Sequence, residues 1–164
     1  MGGSRLRRMK VRWLPSCAAG LALVLAACSP PPPPPIAAGQ TWMIAARPGD
    51  GATSTALLAI EPSTPLGTVA FVTVSNMVLT MPDKTRRSKL GPMAITFPAL
   101  KASLTEFQFR QGTDVRYAGY VEQWREQAVR GRASEFTYDV PIARALDAFE
   151  RGNVLPATLA APAN

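Results

Sequence analysis

Histidine is missing altogether from these 164 residues. Ser-His-Asp hydrolysis and imidazole-ligated metal sites go with it, because both need a ring nitrogen that titrates or coordinates near neutrality. Carboxylate, lysine or tyrosine chemistry is what remains to an enzyme. Cysteine is nearly missing: it occurs only at Cys17 and Cys28. Beyond residue 28 there is no ligand for thiol catalysis, Cys-bound zinc or an iron–sulfur cluster, and no pair for a disulfide. Acidic residues are absent ahead of Cys28, where Arg5, Arg7, Arg8, Lys10 and Arg12 stand alone. The uncharged segment that follows, Leu14–Ala27, is too short for a spanning helix, which needs about 20 apolar residues. Pro15 and Gly20 interrupt it further.

A basic stretch, a short apolar segment and a close on small residues make a secretory signal. Its last four residues, Leu25-Ala26-Ala27-Cys28, stand where cleavage would fall. This tetrapeptide resembles the lipobox of bacterial lipoprotein precursors, over residues 1–28 only. The resemblance implies cleavage before Cys28, a diacylglyceryl group on its sulfur and an acyl chain on the new amino terminus. Two or three chains hold firmly where one holds marginally, each buried methylene adding roughly 0.8 kcal/mol. Met9 followed by Lys10 would also open such a signal, so translation could start at Met1 or Met9.

Six consecutive prolines, Pro30–Pro35, follow the cysteine. Proline fixes its backbone angle and has no N–H, so the run predicts a stiff left-handed helix on the order of 20 Å long. Residues 28–39 thus read as an acylated spacer. Five of the 18 basic residues precede Cys28 while all 11 acids follow it, so the charge of +7 falls to about +2 in the mature chain. Basicity is then no argument for nucleic acid, and no aromatic residues interleave with the cations. Residues 40–155 are enough for one domain with one core, and 156–164 form a small-residue tail.

Strand patterns dominate the domain. Gln40–Ala46 and Thr55–Glu61 flank the turn sequence Pro48-Gly49-Asp50-Gly51 and predict a hairpin. Gly67–Ser75 is β-branched and apolar on both faces, which predicts a central buried strand. Pro92–Leu100 reads as a short strand pushed towards an edge by Pro98. Phe107 and Phe109 alternate with Glu106, Gln108 and Arg110, and Val115, Tyr117, Gly119 and Val121 continue the alternation, predicting a second hairpin. Gln123–Ala133 fits either a helix or a bulged strand, with strand preferred. Phe136, Tyr138 and Val140 predict one more strand. Pro141 then opens a helix with an apolar stripe of Ile142, Ala145, Leu146 and Phe149, closed by Gly152. The expected fold is mainly β, a small antiparallel barrel or sandwich with one C-terminal helix, with a small α+β sheet as the alternative.

Three constellations carry potential chemistry. Lys84, Arg86, Arg87 and Lys89 crowd one loop and could bind an anion; a solvated loop tip is the plainer account. Glu122, Glu126, Glu135 and Asp139 could pair as acid and base, though Arg125, Arg130 and Arg132 among them suit a salt-bridged surface. Trp42, Phe71, Phe107, Phe109, Tyr117 and Phe136 could line an apolar cavity, or simply form the core. The sequence Arg47-Pro48-Gly49-Asp50-Gly51 matches no phosphate loop. Together these point to a lipid-anchored envelope protein, non-catalytic, working as a binding or assembly module without metal or cofactor. Its expected contacts are the membrane, through Cys28, and an envelope protein. The alternatives are a barrel-type carrier of a lipid or small apolar ligand, and a carboxylate-based hydrolase. The resemblance to lipoproteins also implies a location: by the sorting convention of enteric lipoproteins, Ser29 rather than Asp after the cysteine suits the outer membrane or cell surface more than the inner membrane.

Overall fold

The computed structural model describes residues 32–152. Cys28 and the tail therefore lie outside the described residues, as do Met1 and Met9. Six strands make one open sheet: β1 (Gln40–Ile44), β2 (Ser54–Thr64), β3 (Gly67–Thr80), β4 (Arg86–Thr96), β5 (Leu104–Arg110) and β6 (Thr137–Tyr138). Their spatial order is β5-β1-β2-β3-β4-β6. All neighbours are antiparallel except β4 and β6, which pair in parallel at Ala94–Thr137 and Ile95–Tyr138. Three helices complete it: α1 (Phe97–Ser103), α2 (Ala118–Val129) and α3 (Ile142–Glu150).

The fold is mainly β, as the composition of its strands predicts, but the sheet is not closed and is not purely antiparallel. A barrel or sandwich buries one sheet face against another sheet; here helices cover both faces of a single sheet. On one face Trp42, Leu57, Val72, Val74, Met93 and Ile95 pack under Leu100 of α1 and Ile142, Leu146 and Phe149 of α3. On the other, Leu58, Val69, Phe71 and Ala94 pack under Tyr120, Val121 and Trp124 of α2. β3 feeds both clusters, which is why its sequence is apolar on both parities.

The first hairpin, the central strand and the C-terminal helix stand where the sequence places them. The second hairpin does not exist. Val115–Tyr117 is a 3₁₀ turn and the following residues, Gln123–Val129 included, belong to α2, because Tyr120, Val121 and Trp124 share a helical face that buries against the sheet. Ala133–Phe136 is another 3₁₀ turn, leaving only Thr137 and Tyr138 as strand, with Val140 37 % exposed. Pro98 does not weaken an edge strand. It sits at the start of α1, where its missing N–H costs nothing, while β4 runs back to Arg86. Two register slips along β1–β5 break the alternation there, so Phe107 meets Trp42 whereas Phe109, opposite Thr41, is 50 % exposed.

Candidate functional site

The four cations of the sequence reading belong to one hairpin. Met81 N–H donates to the Thr85 carbonyl and Lys84 N–H to the Met81 carbonyl, both at 2.8 Å, closing a turn with Lys84 in the left-handed region at φ 66°. Asp83 Oδ1 accepts from the Thr85 hydroxyl at 2.6 Å and from its N–H at 2.9 Å. That hydroxyl bond, chiefly, holds the Asp83 carboxyl below its ordinary range, with Arg87 adding a smaller attraction. From the turn, β4 carries Arg86 opposite Thr80, Arg87 opposite Leu79 and Lys89 opposite Ser75. Arg86, Arg87 and Lys89 are therefore strand residues, not loop residues.

β6 pairs with β4 only at Ala94 and Ile95, so the outer side of β4 from Arg86 to Pro92 is an open sheet edge among the described residues. Lys84, Arg86, Arg87 and Lys89 are all exposed along it and none enters an ion pair there, while Lys89 Nζ lies 5.8 Å from the centroid of the Tyr117 ring. Three exposed arginines elsewhere are neutralised locally, while Arg110, Arg130, Arg144 and Arg151 enter no ion pair either among the described residues. Arg116 pairs with Asp114, Arg132 with Glu135, and Arg125 with Glu122 and Glu61. Charge on an open edge also repels a stray strand, which is the ordinary structural use of such residues.

The hairpin is braced from within by a network that the sequence did not single out. Arg47 donates from Nε to Asp50 Oδ2 at 2.8 Å, from Nη2 to Asp50 Oδ1 at 3.2 Å and to the Val78 carbonyl at 3.1 Å, and from Nη1 to Asp147 Oδ1 at 3.2 Å. Glu150 Oε2 stands 3.2 Å from the same Nη1. Asp50 Oδ1 accepts from Val78 N–H at 3.2 Å, and Glu150 Oε1 accepts from Thr80 N–H at 3.0 Å. Only 7 % of the Arg47 side chain and 3 % of that of Asp50 are exposed. The hydrogen bond with Arg47 is the main cause holding the Asp50 carboxyl below its usual range, and the same bond raises the guanidinium. The legible signal was the spacing of Arg47 and Asp50 across a Pro-Gly turn; its burial was not legible. A shallow cleft of about 200 Å³ opens over this network.

A second side chain also escaped the sequence reading. Gln40, fully buried, accepts from Ala37 N–H and Trp42 Nε1 on Oε1, both at 2.9 Å, and donates from Nε2 to the Pro35 carbonyl at 2.8 Å. It fixes the last proline of the spacer to the first residue of β1.

The remaining candidates separate. Trp42 and Phe107 contact one another at 5.3 Å between centroids on one face; Phe71, Tyr117 and Phe136 lie on the opposite face; Phe109 is at neither. The six aromatics thus share no cavity, because the sheet itself divides them. Glu122 and Glu126 sit on α2, Glu135 on a 3₁₀ turn, and Asp139 accepts from the Thr96 hydroxyl at 2.9 Å. Glu122 and Glu135 are in ion pairs, as a salt-bridged surface requires. Two further clefts hold about 240 Å³, between β2 and the start of α2, and about 260 Å³, beside Thr96 and Asp139. Both are open to solvent. No group of three or more Asp or Glu among the described residues is placed to hold a metal ion. No helix among them is long and apolar enough to cross a membrane.

Neither a family model, nor a curated protein, nor a solved structure matches this chain.

Proposed function

We propose that this chain is a bacterial envelope lipoprotein, held to a membrane through acylated Cys28, whose domain binds another envelope component rather than transforming it. The observation that carries the binding half is the braced β4 edge: four exposed cations outside any ion pair among the described residues, on a hairpin buttressed by buried Arg47 and Asp50. Binding sites built on rigid strands avoid the backbone part of the ordering cost at contact. The anchor half rests on the resemblance of Leu25–Cys28 to a lipobox, and Ser29 after it favours the outer membrane or cell surface. A carrier needs one continuous apolar cavity, and the division of Trp42 and Phe107 from Phe71, Tyr117 and Phe136 weighs against it. A hydrolase needs two acids in one cleft, and the pairing of Glu122 and Glu135 with arginines weighs against that.

Mass spectrometry of the mature protein from its native membrane tests both halves. The expected product begins at Cys28 and carries acyl chains, with an envelope component retained and no apolar ligand enclosed in stoichiometric amount. A product retaining residues upstream of Cys28, or an unmodified sulfur, would sink the anchor; a stoichiometric apolar ligand would restore the carrier.

A further inference from the structure

We infer that the outer edge of β4 is a docking strip for anionic phospholipid head groups, laying the domain edge-on against the bilayer that holds its anchor. The inference deepens the reading above and rests on it for proximity. Gln40 pins Pro35, so the acylation site stands only seven residue steps ahead of a fixed point on the domain. Even fully extended, seven residues reach at most about 25 Å. No part of a domain this size is then far from lipid.

Three features of the strip suit a bilayer better than a folded partner. Its cations run from the turn, at Lys84, along the strand through Arg86 and Arg87 to Lys89, so they flank an edge instead of filling a pocket. Arg86 and Arg87 are consecutive and point to opposite sides of the strand, which a fluid layer of head groups can meet at once and a single flat protein face cannot. Pro92 offers no N–H, which shortens the edge available to an added strand. Three acids lie close by: Asp114 is paired with Arg116 and Glu150 with Arg47 and the Thr80 N–H, while Asp83, hydrogen-bonded to Thr85, keeps its charge and offsets one of the four cations. Each lysine or arginine near an anionic surface strengthens attachment about fivefold, and screening by salt weakens it.

The lysines provide the readout, since beyond Cys28 the chain has only Lys84, Lys89 and Lys101, and Lys101 lies on α1, away from the strip. The acylated mature chain is reconstituted into vesicles of phosphatidylcholine alone or with one third phosphatidylglycerol, and the amines are labelled with a water-soluble reagent. Labelling of Lys84 and Lys89 should slow about fivefold or more on the anionic vesicles, recover in high salt, and leave Lys101 unchanged. In the double variant Arg86→Gln/Arg87→Gln the slowing should largely disappear; both residues are exposed, so folding is not at stake. Equal labelling on the two vesicle types, a slowing that salt does not reverse, or protection that requires an added acidic peptide would each overturn the inference. A chain that washes off neutral vesicles yet stays on anionic ones would support the strip while overturning the anchor.

Discussion

Arg47 faces three carboxylates and one carbonyl, and the partner it cannot be spared from is Asp50. Removing one member of a buried pair leaves the other charged and dry, at a cost of about 3–5 kcal/mol. Arg47→Ala should therefore lower the free energy of urea unfolding by about that amount at pH 7. The pH dependence follows from the depressed Asp50 carboxyl. A carboxyl lower in the folded state contributes stability above its unfolded value, near 4, and loses it as pH falls through the folded value. Wild type should weaken below about pH 4, whereas the deficit of Arg47→Ala should shrink at pH 3, because protonated Asp50 no longer needs its partner. An unchanged deficit between pH 7 and pH 3 would remove Asp50 from this account. At this scale the sequence was least informative: Arg47 and Asp50 spelled a turn, while their burial arises from α3, almost a hundred residues later.

Among the elements, α3 was legible because its stripe of Ile142, Ala145, Leu146 and Phe149 has no β interpretation. α2 was not, because Val115, Tyr117, Gly119 and Val121 alternate over a window too short to separate a period of 2 from one of 3.6. β3 and β4 depend on a glycine whose reason lies wholly in the pairing. Gly91 has φ 120°, and a Cβ there would stand 2.9 Å from the Val72 carbonyl oxygen and 3.0 Å from Thr73 Cα, both backbone. Gly91→Ala should cost at least about 2 kcal/mol, combining backbone strain with a forced separation of strands. Gly49→Ala is the control: its φ is 90° but nothing lies within 4 Å, so only the conformational penalty of about 1–2 kcal/mol applies. Thermal unfolding of the pair ranks them, and a Gly49 variant as damaged as the Gly91 variant would contradict the close-contact explanation.

For the whole molecule, one sheet shared by two apolar clusters means that neither cluster can exist without β3. Beyond Cys28 the chain carries a tryptophan in each, Trp42 under α1 and α3 and Trp124 under α2. Variants Trp42→Phe and Trp124→Phe, each leaving a single reporter, should show unfolding seen by fluorescence and by circular dichroism at coincident midpoints. Separate midpoints within one variant would mean that the α2 side opens independently. The sequence made the strands and their β bias visible, since β-branched runs declare themselves locally. It could not show that α2 crosses one face to place β6 beside β4, because that depends on which surface α2 covers. The clamp at Gln40 has a mechanical result. If Cys28 is anchored as proposed, a pull on it would be delivered straight along β1, which β2 and β5 grip from both sides. Such a load must shear two ladders together instead of peeling one apart rung by rung, so the domain would meet it in its toughest direction.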